Sequence, residues 1–280
     1  MSFSGHTARK RFGQHWLKDA SVLEQILAAA DLGPEDRVLE VGPGRGALTK
    51  RLLASSAAAI HAVELDKDLV EGLNHRFRDQ PKFTLQEGDV LSTSLIPPNG
   101  IPANKVVANI PYNITGPLLE RLVGRLGKPI EWRYKLLVLL LQKEVADRIL
   151  AKPGQSNFSA LSVRLQLMAR CRSICHVPPK CFQPPPKVQS EVIVIEPVGF
   201  DQSLDQALAR RVEVLLCNAF SSRRKMLRNS LRGLVSLIEL EAFAKEAGVS
   251  LNQRPQEISP AEWLAMAKNF NCFDEFGKKL

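Results

Sequence analysis

No apolar run in this 280-residue sequence is long enough to cross a bilayer. The longest, LLVLLL at 136–141, falls far short of the ~20 residues that a spanning helix needs. The opening residues, MSFSGHTARKRFGQHW, lack the apolar core of a signal peptide, so the expected address is cytoplasmic, or an organellar stroma or matrix for a processed form. Internal repeats are absent, and 45% hydrophobic content fits one large packed domain or one domain plus a small one. The five cysteines form no C-x-x-C pair. Cys171, Cys175 and Cys181 lie near His176, but Pro178 and Pro179 interrupt the group. No metal site is therefore expected, and the thiols, with Cys217 and Cys272, read as reduced and mostly buried.

Acidic residues are also missing, in three places. None occurs from Met1 to Lys18, from Arg148 to Ser190, or from Val214 to Ile238. These stretches hold Arg9, Lys10 and Arg11, then Arg164, Arg170, Arg172, Lys180 and Lys187, then Arg223, Arg224, Lys225, Arg228 and Arg232. With a net charge of +9, such one-sign stretches point to a polyanionic partner, most simply nucleic acid. No amphipathic anchor for a membrane stands out.

What is present is an alternation of apolar runs and helical periodicity. RVLEVG (37–42), AIHAVEL (59–65), FTLQEGD (83–89), KVVANI (105–110) and YKLLVLLLQ (134–142) read as strands buried on both faces. Helical segments separate them, and Asp19 is placed to cap a first helix, ASVLEQILAAADL. This order predicts an α/β fold with a mostly parallel central sheet flanked by helices. Two further helical stretches around Asp147 and Leu165 follow, then PPPKVQSEVIVIEPV, read as a turn into a late edge strand. Beyond Gly199 the pattern is purely helical, predicting a domain of residues 1–198 and a small all-α domain of residues 199–280. A helix there would align Arg224, Arg228 and Arg232 on one face and turn Leu227, Leu231 and Leu234 to the core.

LEVGPGRGALTKRL follows the first of these strands and opens a helix. Gly42 to Ala47 satisfies the loose dinucleotide pattern G-x-G-x-x-A, and Glu64 ends the next strand ~20 residues on, where a ribose-binding acid is expected. Gly42 and Gly44 let the backbone approach a ligand. These features predict an adenosine-containing cofactor without choosing between NAD and S-adenosylmethionine. The choice comes from Glu40 before the loop, Asp89 at the end of EGD, and Asn109-Ile110-Pro111-Tyr112 after the fourth strand. Asp89 is positioned for the adenine amino group, and Glu40 for the loop or the amino-acid end of the cofactor. Hydride transfer has no use for the last element, whereas methylation of an exocyclic amine does. The Asn109 side chain and the Ile110 main chain offer two carbonyls to the amine N–H groups, Pro111 stiffens the turn, and Tyr112 gives a face for the base.

The chain resembles the small-subunit ribosomal RNA adenine dimethyltransferases over nearly its whole length. The resemblance is carried by RKRFGQHWLKD, EVGPGRGALT, VELD, EGDVL, NIPYNI, CFQPPPKVQS and NAFSSRRKMLRNSL. It implies a Rossmann-like methyltransferase with S-adenosylmethionine as cofactor, dimethylating the N6 atoms of two adjacent adenines during ribosome biogenesis. It further implies cofactor contacts at His15, Leu17, Gly42, Gly44, Glu64, Asp89 and Asn109, and target-base contacts at Asn109 and Tyr112. Phe182 matches an aromatic on the other face of the base. Small-subunit rRNA, or the immature small subunit, is the implied partner of a monomer that works away from membranes. RNA phosphates are expected on Arg223, Arg224, Lys225, Arg228 and Lys187. One departure is that Gly13-Gln14-His15-Trp16-Leu17 stands where the family reads G-Q-N-F-L. An imidazole cannot reproduce a carboxamide's donor-plus-acceptor geometry, so here either the contact changes or a backbone group makes it. Competing readings are the large-subunit adenine dimethylases, which share the Asn-Ile-Pro-Tyr type of site, and a non-catalytic assembly or transcription factor on the same fold.

Overall fold

The computed structural model describes residues 9, 14–98, 100–128, 130, 134–198 and 204–270. Lys10, Arg11, Gly13 and Cys272 lie outside them. In chain order the elements are β1 (Trp16–Leu17), α1 (Ala20–Ala30), β2 (Arg37–Val41), α2 (Ala47–Ala54), β3 (Ala59–Glu64), α3 (Lys67–Phe77), β4 (Phe83–Glu87), β5 (Lys105–Asn109), α4 (Thr115–Val123), β6 (Leu136–Gln142), α5 (Lys143–Leu150), α6 (Ala160–Met168), β7 (Ala169–Val177), β8 (Phe182–Gln183), β9 (Ser190–Pro197), α7 (Gln206–Ser221), α8 (Leu227–Ser230), α9 (Leu237–Glu246) and α10 (Pro260–Asn269). The chain divides into two packed units. The first comprises 1–123, 130–146 and 171–197; the second comprises 124–129, 147–170 and 198–280.

The first unit is built on a seven-stranded sheet of order β4-β3-β2-β5-β6-β9-β7. Strands β2 to β6 are parallel to their neighbours, and β9 runs antiparallel to β6 with Leu137 opposite Ile195. From β2 the chain moves outward through β3 to β4, then returns to place β5 on the other side of β2. That reversal opens a crevice at the carboxyl ends of β2 and β5, the place where open α/β sheets take ligands. The five strands read from the sequence are all present. The run LLVLLL is β6, whose Leu137 to Leu141 are fully buried because both sheet faces are covered. Helix α1 is capped by Asp19, whose carboxylate accepts from the Ser21 and Val22 amides. It lays Leu23 and Ile26 on Val38, Val107 and Val138.

Three expectations about the sheet are corrected. β4 is not buried on both faces: it is the sheet edge, and its residues are half-buried or exposed. The late strand β9 is not an edge but lies between β6 and β7, with Glu191 to Ile195 buried. The second edge is β7, which the sequence reading missed. Its Arg170, Arg172 and Ser173 break the apolar alternation because an edge strand keeps much of its surface in water.

The second unit is helical and packs around Phe158, Val212, Leu216, Trp263 and Phe270, each 1% exposed or less. It takes in α6 and the turn at 124–128, both ahead of the boundary read at residue 199. Phe158 and Val163 are core residues of this unit. Gly127, at φ +63, presses so closely on α7 that a β-carbon there would lie 2.4 Å from that of Ala209. The sequence shows the change of texture near 199 but not which earlier residues return to the later core.

The single helix expected to align three arginines is interrupted. α7 ends at Ser221, and α8 starts afresh at Leu227 after Met226 adopts extended backbone. The Leu227 and Arg228 amides donate to the carbonyls of Gln253 and Leu251 instead of to a preceding turn. Arg224 therefore lies in the linking turn, Arg228 in α8 and Arg232 beyond it. Leu227 and Leu231 do face the core, while Leu234 is half-buried.

Candidate active site

At the carboxyl ends of β2, β3 and β5 the first unit holds a cavity of about 400 Å³. Its lining brings together nine of the residues picked from sequence: His15, Gly42, Gly44, Glu64, Asp89, Asn109, Ile110, Pro111 and Tyr112. The chain leaves β2 through a loop in which Gly42, Gly44 and Gly46 all have positive φ. Gly44 is the most constrained: a β-carbon there would lie 2.7 Å from Cδ1 of Trp16. The indole of Trp16 is covered in turn by the Arg45 guanidinium, 3.9 Å from its ring centre.

Three amides of this loop are already committed. Gly42 N donates to Val63 O (2.9 Å), Gly46 N to Pro43 O (2.8 Å), and Gly44 N to Glu64 Oε2 (3.0 Å). Glu64 also accepts the Asp66 amide through Oε1 (2.9 Å). Burial pushes the Glu64 carboxyl above its usual range, opposed by those amide hydrogen bonds. A dinucleotide site needs loop amides free for a pyrophosphate. Here these three are engaged, the lining carries Glu64 and Asp89, and among the described residues it includes no lysine or arginine. This arrangement suits a cationic ligand with a ribose diol, and it disfavours a phosphate-rich one.

On the β5 side, Asn109 donates from Nδ2 to the His15 carbonyl (3.0 Å). With the amino half of the carboxamide held, Oδ1 is the half left to accept a ligand N–H. His15 thus meets Asn109 through its backbone, while its imidazole Nδ1 lies 2.9 Å from the Pro184 carbonyl. Its ring also stacks on Tyr112, with centroids 5.8 Å apart and planes 26° from parallel. The Tyr112 hydroxyl is fixed by Ser190 Oγ at 2.5 Å, and burial raises its pKa. The Asp89 carboxylate accepts the Leu91 amide (2.9 Å), and Arg121 holds the same loop by the carbonyls of Leu91 and Thr93.

Three cofactor- or base-contact residues picked from sequence are not in this lining. Leu17 and Phe182 face each other in the antiparallel β1–β8 pair and are buried in the hydrophobic core, Phe182 at 1% exposure. Phe182 is thus a packing residue here, because the short strand turns its ring inward. Glu40 is also outside the lining and wholly buried, with Oε2 lacking a hydrogen-bond partner. Desolvation, with the nearby Glu64 charge adding to it, pushes its carboxyl up to about 8. The folded state therefore keeps a proton that the unfolded chain releases from about pH 4.5 upward. Stability from this group is full below that range and falls as pH rises through about 8. A Glu40→Gln variant should show a flatter stability profile between those limits, with a thermal midpoint a few degrees above the parent at pH 8.5. An unchanged pH profile would refute it.

Of the basic residues, Lys187 is exposed between β8 and β9. In the helical unit Arg223, Arg224, Lys225 and Arg228 are exposed, but Arg223 also holds the carbonyls of Ser156 and Phe158. Among the described residues no group of three or more His, Cys, Asp or Glu side chains is placed to hold a metal. The thiols are less buried than read from sequence: Cys181 is buried, Cys171 and Cys175 are half-buried, and Cys217 is exposed. Burial lifts the Cys171 thiol to about 12. Sequence reasoning missed Trp16, Asp66, Arg121 and Ser190 as site residues. Trp16, Asp66 and Ser190 lie within the quoted motifs, whereas Arg121 carries no local signal.

The profile of the ribosomal RNA adenine dimethylases matches residues 5–271. The chain is 66% identical over 274 residues to the ribosomal RNA small subunit methyltransferase A of Prochlorococcus marinus (strain MIT 9303), covering 98% of both chains. It is 63% identical to the protein of that name from Synechococcus sp. (strain WH7803), covering all of both. A dimethyladenosine transferase from Plasmodium falciparum superposes with a TM-score of 0.73 at 27% identity, over 92% of this chain and 98% of that one. The 23S rRNA methyltransferase ErmE has the same fold, with a TM-score of 0.72 at 24% identity over 91% of this chain and 99% of its own. With the committed glycine loop, the acidic cavity and the oriented Asn109, these likenesses agree on one assignment: the chain belongs to the ribosomal RNA adenine dimethylase family.

Proposed function

We propose that this protein is an S-adenosylmethionine-dependent methyltransferase acting on the N6 atoms of two adjacent adenines of small-subunit rRNA, yielding N6,N6-dimethyladenosine. The observation that carries the reading is the Nδ2–His15 carbonyl bond, which leaves Asn109 Oδ1 to face the target amine. Glu64 and Asp89 would hold the cofactor at its ribose and adenine ends, with Gly42 and Gly44 giving close backbone approach. S-adenosylmethionine, when bound, supplies an electrophilic methyl group on a sulfonium centre. Asn109 Oδ1 and the Ile110 carbonyl accept the two N–H bonds of the adenine amine, favouring a pyramidal nitrogen with an available lone pair. No strong base is needed, because the amine proton becomes acidic once the methyl has arrived. Tyr112, tethered through its hydroxyl to Ser190, presents a flat face to the base.

The second, helical unit serves as the RNA-holding domain, and methyl transfer belongs to the first. Arg224, Lys225 and Arg228, exposed in the helical unit, would take phosphates, with Arg223 and Lys187 as further contacts. Replacing Arg224, Lys225 and Arg228 by alanine should weaken RNA binding and lower the slope of log affinity against log salt by about one per lost contact. An unchanged slope would remove them from the interface. The protein acts as a cytoplasmic monomer in this reading. Among the described residues no helix is long and apolar enough to cross a membrane.

The deciding experiment is transfer of labelled methyl from S-adenosylmethionine to undermethylated small subunits, with large subunits and naked rRNA in parallel. Label confined to small subunits and recovered as N6,N6-dimethyladenosine is expected. Label on large-subunit RNA alone, or cofactor binding without transfer, would overturn the assignment.

A further inference from the structure

The Asp66 side chain is fully removed from solvent and lies outside the cavity lining. Burying a carboxylate is costly, and such a group persists where its partners are fixed. Its side-chain partners Arg9 and Gln14 come from the N-terminal segment. Oδ2 accepts Gln14 Nε2 (2.8 Å), and Oδ1 accepts Arg9 Nη1 (2.8 Å) and the Asp68 amide (3.3 Å). The other half of the Gln14 carboxamide, Oε1, accepts the Arg9 amide (2.8 Å). The Asp66 N–H is spent on Glu64 Oε1.

The residue after Gln14 is His15, whose carbonyl orients Asn109. From there the chain enters β1, where Trp16 pairs with Gln183. The segment that carries the His15 carbonyl is thus pinned at one end by β-pairing and at the other by Asp66. Two parts of the site with no contact in sequence are joined this way: Glu64 at the cofactor end and Asn109 at the amine end.

We propose that Asp66 is a positioning residue for methyl transfer: by holding Gln14 it sets the His15 carbonyl, and through it the direction of the Asn109 acceptor. The inference rests on the methyl-transfer reading above. Asp66 also caps α3, so loss of activity in a single variant would not separate positioning from folding. A polarity swap does. In Asp66→Asn two amide groups face each other, and in Gln14→Glu two carboxylates do. The double variant restores one donor facing one acceptor and leaves the Arg9 and Asp68 donors with oxygens to bind.

Each single variant is expected to lower kcat on small subunits about tenfold or more and to speed amide exchange across residues 14–17 in the ligand-free protein. The double variant is expected to recover most of both. Single variants with parental kcat and exchange would overturn the proposal. So would impaired single variants that the double fails to rescue, since Asp66 would then act through its helix cap. If the parent protein itself transferred no methyl, the functional reading would fall. The exchange measurement would still report on the Asp66–Gln14 link.

Discussion

Asn109→Ala should cost about 10³-fold in methyl transfer, near the upper end for removing one preorganised hydrogen-bonding group from an active site. The reason lies in how the carboxamide is used. Its Nδ2 is spent on the His15 carbonyl at 3.0 Å, so Oδ1 is held in place before any substrate arrives. Alanine removes the acceptor and leaves the His15 carbonyl without its donor. RNA binding should stay close to that of the parent, because phosphate contacts lie elsewhere in the chain. Single-turnover methylation alongside a filter-binding titration would check this. Activity within tenfold of the parent would move the target amine away from Asn109.

Gly44→Ala should raise the KM for S-adenosylmethionine by about 100-fold, two effects acting together. At φ +58 an alanine costs about 1–2 kcal/mol relative to glycine. Its β-carbon would also lie 2.7 Å from Trp16 Cδ1 and 3.0 Å from Nε1. Relief requires either the indole to leave its place beneath Arg45 or the loop to shift, and both reshape the cavity. Trp16→Ala in the same chain should recover part of the loss by opening the space, though not the backbone strain. A parental KM in the single variant, measured by initial rates or by calorimetry with S-adenosylhomocysteine, would mean that the loop does not set the cofactor site.

Both expectations concern residues that sequence alone singled out, and this marks where sequence reading was strong. Loop and strand-end residues with unusual chemistry stay close to where their strands end, so parallel strands collect them at one edge. Gly42, Glu64, Asp89 and Asn109 converge for that reason. Phe182 shows the opposite case. It lies between Pro178-Pro179 and the run Pro184 to Pro186, in a stretch whose direction depends on pairing between two-residue strands, and that pairing turned its ring into the core. The arginines of the helical region were misread for a similar reason. Fourfold spacing describes a helix only if the backbone continues, and the amides of Leu227 and Arg228 found other acceptors.

Residue order and type by themselves determined the alternation of strand and helix, the cofactor loop, the Asn-Ile-Pro-Tyr element and the basic stretches, because each is written in contiguous residues with a local physical meaning. Tertiary structure alone decided the sheet order that makes β9 interior and β7 an edge, the return of α6 to the helical core, and the link from Asp66 through Gln14 to the Asn109 acceptor. Those depend on contacts between residues far apart in the chain, whose partners are chosen by which buried donors and apolar faces remain to be satisfied once the local elements have formed.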